Sequence, residues 1–309
     1  MSQSTNRFDI VVAGEINPDL ILTGDVEPAF GQVEKLVSNA TLSIGSSSVI
    51  FACGAARLGL KVAFVGVCGD DVFGRFMLNE MKKRNVNTDH VITRPDGQTG
   101  LSVILNKNMD RAILTHPGLV AALRAIDIPD ALLRQTRHLH VASYFLQTAL
   151  QPDLPDLFRR VRVLGLTTSL DTNYDPTEQW HGFDELLSLT NVFLPNEAEA
   201  LSITHTDNCE FAAQLLATKA EIVAVKRGAL GALACKNHEL RFAQPISVNV
   251  SDTVGAGDSF DAGFLFGYLN GWDIQKSLRL ACICGGLSTQ KVGGTDGQPN
   301  LDEAMKNIE

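Results

Sequence analysis

Short, largely apolar runs alternate with amphipathic helical segments along most of this 309-residue chain, and this alternation constrains the fold more than any other feature. Such runs predict strands that are buried on both faces. The predicted strands cover residues 8–13, 62–66, 138–142, 166–170, 191–194 and 221–226, and the predicted helices cover residues 72–84, 152–163, 196–203 and 208–218. Strand–helix alternation is typical of a mostly parallel sheet with helices on both faces, so the sequence predicts an α/β fold.

One domain is expected to span residues 1–309. No linker rich in proline, serine or glycine divides the sequence, and it contains no internal repeat. Because 45% of the residues are hydrophobic, the chain can bury a large core.

Two polar stretches, residues 19–44 and 99–115, interrupt the alternation. They contain short extended runs, including residues 35–42, and residues 106–110 have the composition of a tight turn between two strands. Polar hairpins inserted into an α/β domain often form a lid over an active site. We expect a small β lid here, and the alternative is an ordinary edge sheet.

Charge and cysteine content disfavour several classes of partner. Lys and Arg number 26 against 35 Asp and Glu, and the resulting net charge of −9 argues against nucleic acid. No apolar run reaches the roughly 18 residues of a membrane-spanning helix, and residues 1–10 lack the order of a secretory signal. The six cysteines show no paired metal-ligand spacing, so we expect buried free thiols and a cytoplasmic protein.

The strongest local signal is the segment DTVGAGDSFDAGF at residues 252–264. The small residues Gly255, Ala256 and Gly257 let backbone amides approach a ligand, and the pattern that follows predicts a helix ending near Gly271. The N-terminus of a helix suits a phosphate or a developing oxyanion. Asp258 in its first turn is either a helix-capping residue or a general base. The segment is neither a Walker A loop nor a dinucleotide-binding glycine fingerprint.

This segment resembles the C-terminal signature of the ribokinase-like (PfkB) carbohydrate kinases. Further blocks resemble the family in the same order, at residues 14–19, 55–59, 65–74, 99–100, 195–199 and 225–228. The resemblance implies a ribokinase-like three-layer sandwich, with a mostly parallel central sheet, helices on both faces and a small β lid. It also implies a homodimeric enzyme that uses ATP and Mg²⁺ to phosphorylate a hydroxymethyl group of a sugar or sugar-like molecule.

Carried onto the matching positions, the resemblance assigns Asp258 as the catalytic base. Gly255, Ala256 and Gly257 become the anion hole around the γ-phosphate, where in-line positioning and charge stabilisation drive phosphoryl transfer.

The nucleotide side is assigned in the same way. Asn196 and Glu199 resemble the pair that orders water around Mg²⁺, although Asn-x-x-Glu is also the pattern of a helix capping box. Lys226, Arg227 and Gly228 resemble the nucleotide-side loop; an exposed basic pair at a strand end is the alternative.

On the sugar side, Asn17 and Asp19 are assigned to a diol of the acceptor, although an Asx-turn after the first strand is the alternative. Arg111 in the second hairpin contacts the substrate or is a solvated charge of the lid. Asp252 and Val254 match positions that hold a monovalent cation such as K⁺ in some family members, and Asp252 is otherwise an acidic residue before a helix.

Three departures from the family pattern concern the substrate. Residues 170–174 resemble the family's Asp-x-Asn-x-Arg segment, but Asp175 stands at the position of the arginine. Gly45 is present, but Ser46 replaces the second glycine and Ile50 replaces an asparagine that grips the sugar. If Ile50 faces the pocket, the ligand places a deoxy carbon, a ring face or a nucleobase there; otherwise Ile50 packs its helix against the sheet. A nucleoside kinase and a catalytically silent sugar-binding regulator therefore remain alternatives, whereas a dinucleotide oxidoreductase is disfavoured.

Overall fold

The computed structural model describes residues 7–107 and 110–308, and alternates strands with helices as the sequence predicts. The strands are β1 (Ile10–Ala13), β2 (Pro18–Gly24), β3 (Val37–Ile44), β4 (Val62–Val65), β5 (Val67–Gly69), β6 (Val86–Asn87), β7 (Ile92–Arg94), β8 (Leu101–Lys107), β9 (Asp110–His116), β10 (His138–Val141), β11 (Thr167–Leu170), β12 (Val192–Phe193), β13 (Ile222–Lys226), β14 (Ala232–Lys236) and β15 (Glu239–Ala243). The α-helices are α1 (Ser47–Arg57), α2 (Val72–Lys83), α3 (Asp130–Leu133), α4 (Leu154–Val163), α5 (Asp184–Ser188), α6 (Glu197–Thr204), α7 (Cys209–Leu216), α8 (Ala256–Leu269), α9 (Ile274–Ser288) and α10 (Leu301–Met305).

The central sheet has nine strands in the order β15-β14-β13-β12-β11-β10-β1-β4-β6. Neighbours are parallel except at one edge, where β13, β14 and β15 pair antiparallel. Each of the predicted strands is found in this sheet, shortened by one or two residues. The mostly parallel sheet predicted from the alternation is therefore confirmed.

Two apolar cores lie on opposite faces of this sheet. Because side chains of a strand alternate between faces, Ile10 and Val12 of β1 join the core beneath α1, α8 and α9, whereas Val11 and Ala13 join the core beneath α4 and α7. The result is the three-layer sandwich expected from the resemblance.

A separate four-stranded sheet, in the order β3-β2-β8-β9, is built from both interrupting stretches. Strands β2 and β8 are parallel, and β3 and β9 flank them antiparallel. This is the small β lid of the predicted fold, and we refer to these four strands as the lid sheet. The tight turn predicted at residues 106–110 includes residues 108–109, which lie outside the described residues.

Helix α8 is held close to α9 by glycines that permit near contact between the two backbones. A Cβ on Gly263 would lie 2.9 Å from Ala281 Cα, and a Cβ on Gly267 would lie 2.4 Å from Ser277 Oγ. These glycines set the short distance between α8 and α9. The N-terminus of α8 lies next to Lys226, at the carboxyl end of β13.

All six cysteines are buried free thiols, as predicted. Across residues 7–107 and 110–308, the helices are too short or too polar to cross a membrane. The prediction about a secretory signal includes residues 1–6, which lie outside the described part of the chain.

Candidate active site

The turn before α8 requires glycine at position 255. Gly255 is the N-cap of α8 in a left-handed conformation, with φ +72°. A Cβ at this position would lie 2.8 Å from both Gly294 Cα and Ile50 Cγ2. No side chain caps this helix, so its first amides are available to an anionic ligand.

Asp258 lies in the first turn of α8 and is 8% exposed. The capping interpretation does not apply, because α8 has no side-chain cap. Burial raises the pKa of Asp258 to about 8, and the negative charge of Asp171 contributes in the same direction. The Lys226 charge and a hydrogen bond from the Ser47 hydroxyl act in the opposite direction. A carboxyl with a pKa near neutrality suits general base catalysis.

A buried carboxylate that the sequence analysis missed, Glu15, organises the start of α1 beside Asp258. Its Oε1 accepts hydrogen bonds from Ser46 Oγ and Ser143 Oγ, both at 3.0 Å, and its Oε2 accepts one from Ser48 Oγ at 2.5 Å. Ser46, at the position of the family's second glycine, has φ +68° and caps α1 through the amide of Val49. The sequence signal for this cluster was the acidic residue Glu15 after the first strand, together with the run of serines at the start of α1.

Lys226 lies between two buried carboxylates. Its Nζ is 3.1 Å from Asp171 Oδ2 and 3.0 Å from Asp261 Oδ2, and both aspartate side chains are 1% exposed. A Cβ on Gly257 would lie only 3.8 Å from this Nζ, so the ammonium group lies beside the turn at α8. Sequence analysis singled out Lys226 but gave no role to either of its partners, although both lie within family-like segments.

A cavity of about 500 Å³ opens next to this turn. The predicted residues Lys226, Arg227 and Gly228 line it together with Ala256 and Gly257, and their contact with a nucleotide stays a prediction. Much of the remaining wall is apolar, formed by Ile246, Val248, Val250 and Phe260. Pockets of this size and lining bind small molecules with flat apolar parts and a few polar anchors.

Asn196 and Glu199 form the capping box that their spacing predicts. The Asn196 N–H donates to Glu199 Oε2 at 2.9 Å, and the Glu199 N–H donates to Asn196 Oδ1 at 2.9 Å. Burial raises the pKa of Glu199 to about 7, and the Asp171 charge contributes. The water-mediated Mg²⁺ contact stays a prediction. In the described ranges, no three His, Cys, Asp or Glu residues are arranged to hold a metal directly.

Asn17 and Asp19 lie together below the lid sheet, both 8% exposed. Asn17 Nδ2 donates to Asp19 Oδ1 at 3.5 Å. Asp19 belongs to β2, so the carboxyl that is predicted to hold a diol is part of the lid sheet. Burial raises the pKa of Asp19 to about 7, although the Arg111 charge acts to lower it. Gly45 makes room for this carboxyl, because a Cβ there would lie 2.3 Å from Asp19 Oδ1.

Ile50 and Asp252 support the turn at α8 from two sides. Ile50 is 3% exposed and packs against Gly255 and Gly294, which favours the packing alternative; a contact with substrate stays a prediction. Asp252 accepts hydrogen bonds from the amides of Val254 at 3.0 Å and Gly293 at 2.9 Å, so it ties two loops together. Binding of a monovalent cation by Asp252 and Val254 also stays a prediction.

Comparisons with known proteins agree with this architecture. A family model described as pfkB family carbohydrate kinase matches residues 7–301. The chain is 34% identical over 250 residues to an uncharacterized sugar kinase of Archaeoglobus fulgidus, covering 80% of this chain and 98% of the relative. It is 29% identical over 289 residues to the 5-dehydro-2-deoxygluconokinase of Geobacillus thermodenitrificans, covering 87% and 85%. The crystal structure of a putative ribokinase II from E. coli in complex with ATP and Mg²⁺ superposes with a TM-score of 0.87, at 21% identity, covering 97% of this chain and 99% of that one.

Proposed function

Because this chain belongs to the pfkB family of carbohydrate kinases, we propose that it transfers the γ-phosphoryl group of ATP to a hydroxymethyl group of a sugar or sugar-like molecule. It is a carbohydrate kinase, and Asp258 is the proposed general base. The observation that carries this assignment is the buried carboxyl of Asp258, which does not cap its own helix. It lies in the first turn of α8, whose N-terminus has no side-chain cap and begins at Gly255 in a left-handed conformation.

In this mechanism Asp258 accepts the proton of the acceptor hydroxyl as its oxygen attacks phosphorus. Gly255, Ala256 and Gly257 direct backbone amides at the oxygens of the transferred group, which gain charge in the transition state. Asn17 and Asp19 hold a diol of the acceptor, Gly45 leaves space for Asp19, and Arg111 contacts the acceptor from the lid sheet. The proposed base and anion hole both lie at the start of α8. The proposed diol contact depends instead on the position of β2, which carries Asp19.

The nucleotide fits the 500 Å³ cavity, whose apolar wall suits a base and whose polar end lies at Lys226 and Gly257. Arg227 and Gly228 complete the loop on that side, with Arg227 held by Glu197 at 3.0 Å. Asn196 and Glu199 would hold Mg²⁺ through water, and the ion would neutralise phosphate charge. Both oxygens of Glu199 already bond Asn196, which suits an indirect contact, since Mg²⁺ keeps several of its waters.

Substitution of Asp258 tests the proposal. Asp258→Asn keeps the size and polarity of the side chain but removes the base, so we expect turnover to fall by about 10²–10⁴-fold. The measurement is ADP release with ribose, 5-dehydro-2-deoxygluconate and a nucleoside as acceptors, with ATP affinity measured separately. Asp302→Asn, an exposed residue of α10, is the matched control. Near-wild-type turnover in Asp258→Asn would contradict the mechanism. No turnover by the wild-type chain on any acceptor would favour the alternative of a catalytically silent sugar-binding regulator.

We also propose that the chain works as a homodimer of single domains, residues 1–309, with lid segments at residues 19–44 and 99–115. Asp252 and Val254 are proposed to bind a monovalent cation such as K⁺ behind the turn. Rates in potassium and in a bulky organic cation at equal ionic strength test the ion, and equal rates would remove it.

A further inference from the structure

We propose that Asp171 and Asp261 are positioning residues that hold the Lys226 ammonium group against the phosphate-binding turn. This inference rests on the proposed function, because it assigns a task to side chains around the same transferred group. It concerns two residues that lie within family-like segments of the sequence but were given no role there, and it gives Lys226 a defined orientation.

The first argument is geometric. Lys226 ends β13, Asp171 follows β11, and Asp261 lies one turn after Asp258 on α8. Two ion pairs of 3.1 and 3.0 Å fix Nζ from two different elements. A lysine held from two directions loses most of its rotamer freedom, and a group that is already oriented needs no reorganisation during the reaction.

The second argument is that the Lys226 side chain lies beside the turn and the cavity that are proposed to receive the phosphates. The Lys226 stem lies along Gly257, with Cδ 3.6 Å and Nζ 3.8 Å from where a Cβ would be. Lys226 also lines the 500 Å³ cavity. A phosphoryl oxygen bound to the Gly257 amide would therefore lie beside a charged donor.

The third argument concerns charge. Burial alone would lower the pKa of Lys226, but the charges of Asp171 and Asp261 raise it above its ordinary value. The two carboxyl groups therefore favour the charged form of Lys226. Burial also raises the pKa of Asp261 well above its ordinary value, so the cluster carries less negative charge than two ionised carboxylates would give it. The Lys226 charge can then stabilise negative charge on the transferred group in this water-poor site, where electrostatic interactions are strong.

A double-mutant cycle between Asp261 and Lys226 tests the proposal. Asp261→Ala is expected to lower kcat by about 100-fold, with little change in the KM of the acceptor, because one of the two anchors of Lys226 is lost. Lys226→Met is expected to lose at least as much. If Asp261 acts through Lys226, Asp261→Ala has no further effect in the Lys226→Met background.

Conservative variants separate positioning from simple stability. Asp261→Asn keeps an oxygen acceptor for Lys226 and is expected to recover most of the turnover lost in Asp261→Ala. Asp9→Ala is the matched control, since it breaks the Asp9–Arg137 ion pair of 2.9 Å at the opposite, amino ends of the strands. It is expected to lower Tm without lowering kcat.

Three results would overturn the inference: wild-type kcat in folded Asp261→Ala, an equal loss in both backgrounds, or no recovery in Asp261→Asn. If Asp261→Ala does not fold, Asp171→Asn replaces it in the cycle, and the same outcomes decide. Activity that survives Asp258→Asn would instead contradict the proposed function, so the two failures are distinguishable.

Discussion

At the scale of single residues, burial of Asp258, the proposed catalytic base, is expected to cost the fold stability. Burial disfavours its charge and is the largest cause that raises its pKa from the ordinary 3.8 to about 8 in the folded chain. Below about pH 4 the carboxyl is protonated in both the folded and unfolded chain. As pH rises from 4 to 8, the unfolded chain releases this proton first, so the free energy of unfolding falls.

Asp258→Asn is therefore expected to be more stable than wild type at alkaline pH while it loses turnover. We expect Tm to rise by about 2–4 °C at pH 8.5 and the difference to disappear near pH 4, since an amide cannot ionise. Thermal unfolding at both pH values measures this, and Asp302→Asn controls for exchange of any carboxylate for an amide. A Tm difference that is independent of pH would contradict the prediction.

Ile50 is the residue at which the two interpretations of the sequence predict different outcomes. Because Ile50 packs against Gly255 and Gly294, we expect Ile50→Asn to bury an unpaired amide at a cost of about 1–3 kcal/mol. Turnover then falls by a similar factor for every acceptor, because the turn at α8 shifts. Ile50→Val is the control, with an expected cost of about 0.5–1.5 kcal/mol. A selective gain on ribose or fructose in Ile50→Asn would instead show that this position meets the substrate.

At the scale of secondary-structure elements, the lid sheet contributes one residue of the proposed acceptor site. Asp19 lies on β2 and pairs in register with Ser102 of β8, whereas Asp258 lies on α8. The proposed diol contact and the proposed base therefore belong to different sheets and helices of the molecule, and we expect closure of the lid sheet over the acceptor to bring them together and exclude water.

Amide exchange in β2, β3, β8 and β9 is therefore expected to slow by about tenfold or more when acceptor and a non-hydrolysable ATP analogue are added together. Hydrogen–deuterium exchange followed by mass spectrometry measures this. Helix α4, which packs on the far core of the central sheet, is the internal control and is expected not to change. Unchanged exchange in the lid sheet at saturating ligand would contradict closure of the lid sheet over the acceptor.

The parallel strands were predictable because burial on both faces leaves an unbroken apolar run in the sequence. The β14–β15 hairpin was missed, although Asn237 and His238 form its two-residue turn with φ +50° and +64°, because its outer strand is mostly exposed and mixes charged with apolar residues.

The Lys226 cluster could not be predicted for a different reason. Its members are separated by 55 and 35 residues along the chain. Only the order of the strands in the sheet and the packing of α8 bring them together.

At the scale of the whole molecule, the lid sheet presents an apolar face away from the acceptor site. Strand register places two rows of side chains on this outer face: Leu42, Leu20, Val103 and Leu114, followed by Ala40, Leu22, Leu105 and Ala112. Leu114 is 62% exposed. A contiguous apolar face of this kind is typical of an association surface, and a second copy of the chain is the partner expected here.

Leu114→Glu is expected to convert the proposed homodimer into a monomer, because a charge placed within an apolar interface loses its hydration without gaining a partner. Sedimentation velocity at micromolar concentration measures the oligomeric state of wild type and variant. Val163→Glu is the matched control, since Val163 is 87% exposed at the end of α4, far from the lid sheet in the other core layer. If the dimer also supports the lid, the KM of the acceptor rises in Leu114→Glu and not in Val163→Glu. A wild-type chain that sediments as a monomer, or a Leu114→Glu variant that remains a dimer, would remove this face as the interface.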